Sequence, residues 1–197
     1  DLILEKKPKK LILIEKDNIL SEEIKERFKN SKIVSVVNID ILKYNLDKLN
    51  NLIIISNLPY NVSTKIILYL YNYSKNINEM IFMIQKEVAS KFDYKKNNMN
   101  KYKFLNKLYC IYEKCFDVSS KVFYPKPKVK SSVVKFIFKK EKVNISKAKR
   151  FINRIFIKKR KKIYNKLGPI KLYNTEVLNK RIDQLSIEEL MYIYNFS

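Results

Sequence analysis

Apolar positions along the chain fall into short runs set between longer polar stretches. Leu11-Ile12-Leu13-Ile14, closed by the acid Glu15, reads as a short buried strand, and residues 17–28 follow as a polar helix. Residues 33–37 predict a second strand leading into Asn38-Ile39-Asp40-Ile41-Leu42, and residues 52–56 a third. That third run enters Asn57-Leu58-Pro59-Tyr60-Asn61-Val62-Ser63-Thr64 and then the helical pattern Ile66-Ile67-Leu68-Tyr69-Leu70, continuing to Tyr73. The sequence of signals is buried strand, rigid loop, capped helix. Residues 80–84 predict a fourth strand, with a helix opening at Gln85-Lys86-Glu87-Val88-Ala89.

Strands alternating with helices at this spacing predict an α/β fold with a mainly parallel sheet covered by helices on both faces. After a polar stretch, residues 93–103, the pattern changes to two paired strands, 110–118 and 131–138, joined through Pro125-Lys126-Pro127-Lys128. Beyond Glu141 only helices are expected, the last opened by a capping box of Ser186 and Glu189. These features divide the chain into residues 1–140, an α/β domain, and residues 141–197, a small all-helical domain. No internal repeat is visible.

Composition changes the picture in two ways. Within 197 residues, 42 Lys and Arg stand against 19 Asp and Glu, a formal charge of +23 that points to a polyanionic partner. Only five of the basic residues are Arg, and Asn, Ile and Tyr abound, so part of this charge reflects the lysine-rich codon usage of an AT-rich genome. Cys110 and Cys115 lie five apart in a chain without His, which argues against a zinc site and against a disulfide scaffold and predicts buried or half-buried free thiols. No metal is expected. No apolar stretch approaches the roughly 20 residues that span a bilayer, and there is no signal-peptide pattern, so the expectation is a cytoplasmic protein without a membrane partner.

The loop after the third strand carries the sharpest chemical suggestion. Open α/β sheets bind ligands at the carboxyl ends of their strands. There, the Asn57 amide and the Pro59 backbone carbonyl can accept hydrogen bonds from an exocyclic amine while Tyr60 stacks on the ring that bears it. The same letters also describe an ordinary strand-to-helix turn with Tyr60 in the core. Glu15 and Asp40, each ending a strand, stand where nucleotide-binding folds place acids, but helix starts and turns favour acids too. Arg154 with Lys158-Lys159-Arg160-Lys161-Lys162 reads as a basic helix with Ile155, Phe156, Ile157, Ile163 and Leu167 on its apolar face, either a solvated face or a surface for phosphates.

The octet NLPYNVST closely resembles the catalytic loop of the small-subunit rRNA adenine dimethyltransferases, a Rossmann-like, S-adenosylmethionine-dependent family. The resemblance extends through IEKD, NIDIL, QKEVA, FYPKPKV with the following Ser131-Ser132-Val133-Val134, and the RIDQLSIEEL tail. It implies that Glu15 binds the cofactor ribose, that Asp40 receives the cofactor adenine amine, and that Asn57, adjoining the cofactor, aligns the target amine with the Pro59 carbonyl. It further implies that Tyr60 and Phe123 sandwich the target adenine. Arg154, Lys158, Lys159, Arg160, Lys161 and Lys162 would belong to the family's RNA-contacting element. Where relatives place Tyr-Gly-Arg after the QKEVA helix, this chain has Tyr102-Lys103-Phe104.

The family holds the methionine end of its cofactor on a glycine-rich loop after its first strand, because only glycine allows so close a backbone approach. The sole glycine here is Gly168, and the chain opens at Asp1, so the expectation is an amino-terminal truncation just past that loop and a chain inactive by itself. The implied partners are small-subunit rRNA and the immature small ribosomal subunit, met by a monomer. Three alternatives stay open: a large-subunit rRNA adenine methyltransferase, a catalytically silent assembly factor, and an organellar transcription factor of the same fold.

Overall fold

The computed structural model describes residues 2–95, 98–125, 127–140, 143–157, 160–167 and 176–197. Two compact units divide the chain, Asp1–Lys48 and Leu49–Ser197.

The first unit holds a short helix α1 (Leu2–Glu5), strand β1 (Leu11–Glu15), helix α2 (Asn18–Arg27) and strand β2 (Val34–Asn38). β1 and β2 pair in parallel, with Glu15 opposite Asn38. Asp17 caps α2 by accepting a hydrogen bond from the Leu20 amide at 2.9 Å, which satisfies one of the orphan donors of the first turn. Ion pairs of Lys25 with Glu22 and of Lys29 with Glu26 line its solvent side.

The second unit is built on β3 (Leu52–Asn57), helix α3 (Ser63–Leu70), β4 (Ile77–Gln85), helices α4 (Lys86–Phe92) and α5 (Lys101–Tyr109), β5 (Cys110–Val118) and β6 (Ser131–Phe138). Its strand order is β3-β4-β6-β5. β3 runs parallel to β4, whereas β6 is antiparallel to both β4 and β5. The sheet of this unit is therefore mixed rather than mainly parallel, because the hairpin of β5 and β6 inserts its second strand next to β4. The run of residues 52–55 is only half buried: Ile53 and Ile55 are 59% and 53% exposed, since one face of β3 is left uncovered. The core centres on Leu70, Met80, Phe82, Ile84, Phe92, Phe104, Val134 and Phe136, all without solvent exposure.

Helix α5 occupies residues expected to be polar loop and strand approach. Asn100 starts it by accepting from the Tyr102 and Lys103 amides at 2.8 and 3.1 Å, and Phe104 and Leu108 supply a buried face at helical spacing. After β6 come helices α6 (Ile145–Ile155), α7 (Tyr164–Leu167), α8 (Glu176–Asn179) and α9 (Ile187–Asn195). The capping box stands at α9: the Glu189 amide donates to Ser186 Oγ at 3.1 Å and the Ser186 amide to Glu189 Oε2 at 2.9 Å. Residues beyond 141 are thus without strands among those described. They nevertheless share a core with α5, where Phe104 meets Phe151 and Tyr194 at ring-centroid distances of 5.0 and 5.3 Å.

Candidate active site

In the first unit, Glu15 ends β1 opposite Asn38, the last residue of β2, and Asp40, expected to end that strand, lies just past it. Glu15 Oε1 accepts from the Asp17 amide at 2.8 Å. The Asn38 side chain donates to the Glu15 carbonyl at 3.0 Å and reaches the Lys16 and Asp17 carbonyls at 3.3 and 3.4 Å, pinning the turn after β1. Asp40 caps a 3-10 turn, with Oδ1 accepting from the Leu42 amide at 3.0 Å and Oδ2 paired with Lys16 at 3.3 Å. The Leu42 amide first, then Lys16 and Lys43, hold the Asp40 carboxyl below its ordinary range against a desolvation cost. Asn38 and Lys16 were invisible as site residues in the sequence.

In the second unit, Asn57 ends β3 and is exposed, with no side-chain hydrogen-bond partner among the described residues. Leu58 is buried, and its amide bonds to the Met83 carbonyl at 3.1 Å, extending the β3 ladder by one residue. The Pro59 carbonyl accepts from the Val62 amide at 3.2 Å, closing a turn, and retains a second lone pair. Tyr60 is half-buried, and its hydroxyl lies 2.8 Å from Ser131 Oγ. The expected Ser-Thr cap takes another form: Val62 is the cap residue of α3, and Ser63 donates its hydroxyl back to the Tyr60 carbonyl at 3.2 Å.

Topology gathers further residues to this end of the sheet. Ser131 starts β6 opposite Gln85, the end of β4, and opposite Val118, the end of β5. The chain leaves β5 through a 3-10 turn, Ser120–Val122, capped by Ser119, and half-buried Phe123 follows directly. The ends of β3, β4 and β5 and the start of β6 thus bring Asn57, Tyr60, Ser131 and the Phe123 segment to one edge. Lys86, the first residue of α4, pairs with Asp117 at 2.7 Å. Asp117 also accepts from Ser132 Oγ at 2.7 Å and pairs with Lys114 at 3.3 Å. The Lys86 ammonium, the Ser132 hydroxyl and Lys114 hold its carboxyl far below the usual carboxylate range.

The basic segment departs from its expected form. Helix α6 ends at Ile155, and Arg160, Lys161 and Lys162 lie beyond it in an exposed turn, Lys162 forming an isolated β-bridge with Arg181. Lys158 and Lys159 lie outside the described residues. Arg154 sits in the last turn of α6 and donates from Nε to the Lys166 carbonyl at 2.9 Å and from Nη2 to the Leu167 carbonyl at 2.8 Å. Its guanidinium fork satisfies the carboxyl end of α7, where orphan carbonyls attract cations. Cys110 is buried, as expected, but Cys115 is exposed beside the β5 irregularity between Lys114 and Phe116. Among the described residues no helix is long and apolar enough to cross a membrane.

The architecture is that of the Rossmann-like methyltransferases. A dimethyladenosine transferase from Plasmodium falciparum matches it with TM-score 0.75 over 94% of this chain and 80% of that one, at 22% identity. The 23S rRNA methyltransferase ErmE matches with TM-score 0.73 over 94% and 81%, at 15% identity. The ribosomal RNA adenine dimethylase family model matches residues 2–197, and the chain belongs to that family, enzymes that methylate adenine in ribosomal RNA with S-adenosylmethionine as donor. Relatives described as ribosomal RNA small subunit methyltransferase A include one from Malacoplasma penetrans, 37% identical over 81% of this chain and 60% of its own length. Another, from Hydrogenobaculum, is 32% identical over 99% of this chain and 76% of its own length.

Proposed function

We propose that this protein transfers two methyl groups to the exocyclic amine of adenines near the 3′ end of small-subunit rRNA, acting as a monomer on immature small subunits in the cytoplasm. The observation that carries the reading is the loop at the end of β3, where an exposed, uncommitted Asn57 amide stands beside a Pro59 carbonyl and an anchored Tyr60 ring. The relatives are small-subunit enzymes by name, which favours this substrate over large-subunit rRNA.

The residues fit the methyl donor. Glu15 uses one carboxylate oxygen on the Asp17 amide, leaving the other for a ribose hydroxyl. Asp40 is held ionised and suits an adenine amine. Bound there, S-adenosylmethionine supplies an electrophilic methyl on sulfonium. Asn57 and the Pro59 carbonyl accept the two amine hydrogens of the target adenine, turning the nitrogen lone pair out of conjugation with the ring. Tyr60 and Phe123 close on the two faces of the base and return the few kcal/mol that unstacking costs. No general base is needed, since the methylated nitrogen is acidic enough to shed its proton to water. Positioning supplies the rate.

Residues 1–140 form the catalytic domain in this reading and residues 141–197 the RNA-contacting one. RNA contacts come from Arg160, Lys161 and Lys162 with the adjoining Lys158 and Lys159, and from the loop between β5 and β6. That loop, residues 119–130, has no acid and carries a fully exposed Tyr124 among lysines, the composition of a single-strand stacking platform.

The test is transfer of radiolabelled methyl groups to immature small subunits by the protein expressed from its complete reading frame, with mass spectrometry of the digested rRNA. Dimethyladenosine is expected from the unsubstituted protein and none from Asn57→Ala, whose affinity for S-adenosylmethionine stays near normal because its main loss falls in the transition state. Dimethyladenosine formed by Asn57→Ala at the unsubstituted rate would refute the reading.

A further inference from the structure

Two adjacent serines open β6, and both are fully buried. A buried hydroxyl without a partner costs about 1–3 kcal/mol, so where each hydroxyl goes is a structural decision. Successive strand residues face opposite sides of the sheet. Ser131 turns to the Tyr60 hydroxyl at 2.8 Å, bridging 71 residues of sequence. Ser132 turns to Asp117 Oδ1 at 2.7 Å, and that carboxylate is held in turn by Lys86 at 2.7 Å and Lys114 at 3.3 Å. The backbone adds a tie at the same point, the Lys86 amide donating to the Lys130 carbonyl at 3.0 Å.

The start of β6 is therefore fastened on the Ser132 side to β5 and to the first residue of α4. Ser131 has no freedom to follow a moving partner. Tyr60, by contrast, sits in a loop and is half-exposed, and a tyrosine ring in a loop rotates about its side-chain bonds unless its far end is held. We propose that Ser131 is a positioning residue for methyl transfer: its hydroxyl holds the phenol of Tyr60 so that the ring plane is set before adenine arrives. The Ser132 contact to Asp117 is what makes Ser131 a fixed point. This rests on the function proposed above in taking Tyr60 as a face of the adenine clamp. It goes beyond that reading in assigning the tyrosine hydroxyl a purpose that stacking alone does not require, and in naming the residue that uses it.

The consequence is a dependence between two residues. Ser131→Ala lowers turnover at saturating RNA by about five- to tenfold, the factor expected of one net hydrogen bond, and Tyr60→Phe lowers it similarly. The double variant is no slower than either single one, because each removes the same bond. A serine that merely stabilised β6 would lower turnover by the same factor with or without the Tyr60 hydroxyl, and that additive outcome overturns the inference.

A second readout needs no substrate. With tyrosine labelled at Cζ, the resonance missing from Tyr60→Phe identifies Tyr60, and it shifts in Ser131→Ala while the other tyrosine signals stay in place. An unshifted Tyr60 resonance also overturns the proposal. If the unsubstituted protein forms no dimethyladenosine, the proposed function fails, whereas the resonance still shows whether Ser131 holds the ring.

Discussion

Phe104 offers a measure of how firmly the carboxyl-terminal helices are built into the unit that carries the Asn57 loop. The residue is fully buried on α5 and its ring lies 5.0 Å from Phe151, 6.2 Å from Phe156 and 5.3 Å from Tyr194, centroid to centroid. Phe104→Ala removes those three contacts and leaves a cavity, at a cost of about 3–5 kcal/mol. Phe104→Leu keeps most of the volume and forfeits mainly the ring pairings, about 1–2 kcal/mol. Since each 1.4 kcal/mol is about a factor of ten, amide hydrogen exchange in the alanine variant should accelerate by about 140- to 3,700-fold where opening is cooperative. Both α5 and α9 should show it, because Tyr194 lies on α9 and loses its partner ring. Mass-spectrometric exchange on peptides from the two helices reads this directly. An α9 whose protection is unchanged while α5 opens would refute the claim of a shared core, and a change under tenfold in both would refute the magnitude.

Arg154→Ala should lower thermal stability, by about 1–2 kcal/mol for two charge-assisted bonds at a partly exposed site, and leave the salt dependence of RNA binding unchanged. Charge reversal at Arg160, Lys161 and Lys162 together should do the opposite and flatten that salt slope in a filter-binding assay; a flattened slope from Arg154→Ala would return that residue to the RNA surface. In the native protein a thiol-specific disulfide reagent should modify Cys115 quickly and Cys110 only on unfolding, because burial pushes the Cys110 thiol far above its ordinary range while Cys115 is exposed. Two equivalents reacting at one fast rate would contradict the packing of β5.

Much of the candidate site was legible in the chain itself, because local signals suffice where a strand, a proline turn and a helix follow one another. Residues 52–56 were readable as a strand from their aliphatic run, the turn from Pro59, and the α9 start from Ser186 and Glu189, since backbone propensity and capping act within a few residues. Glu15 was placed correctly at the end of β1 for the same reason, whereas Asp40, read as ending a strand, lies past the end of β2 and caps the 3-10 turn that follows. Helix α5 was also encoded locally, by Asn100 and the spacing of Phe104 and Leu108, though the surrounding lysines and asparagines obscured it.

Tertiary structure alone decided who partners whom. No local pattern tells that Arg154, in a run of cations, spends its guanidinium on the carbonyls of α7, or that Lys86 belongs to Asp117. The strand order β3-β4-β6-β5 brings Ser131 beside Tyr60 across 71 residues. Hydrogen bonds act over about 3 Å in space and are indifferent to separation along the chain. Sequence therefore specifies the elements and the chemistry each can offer, while the folded sheet determines which of those groups meet.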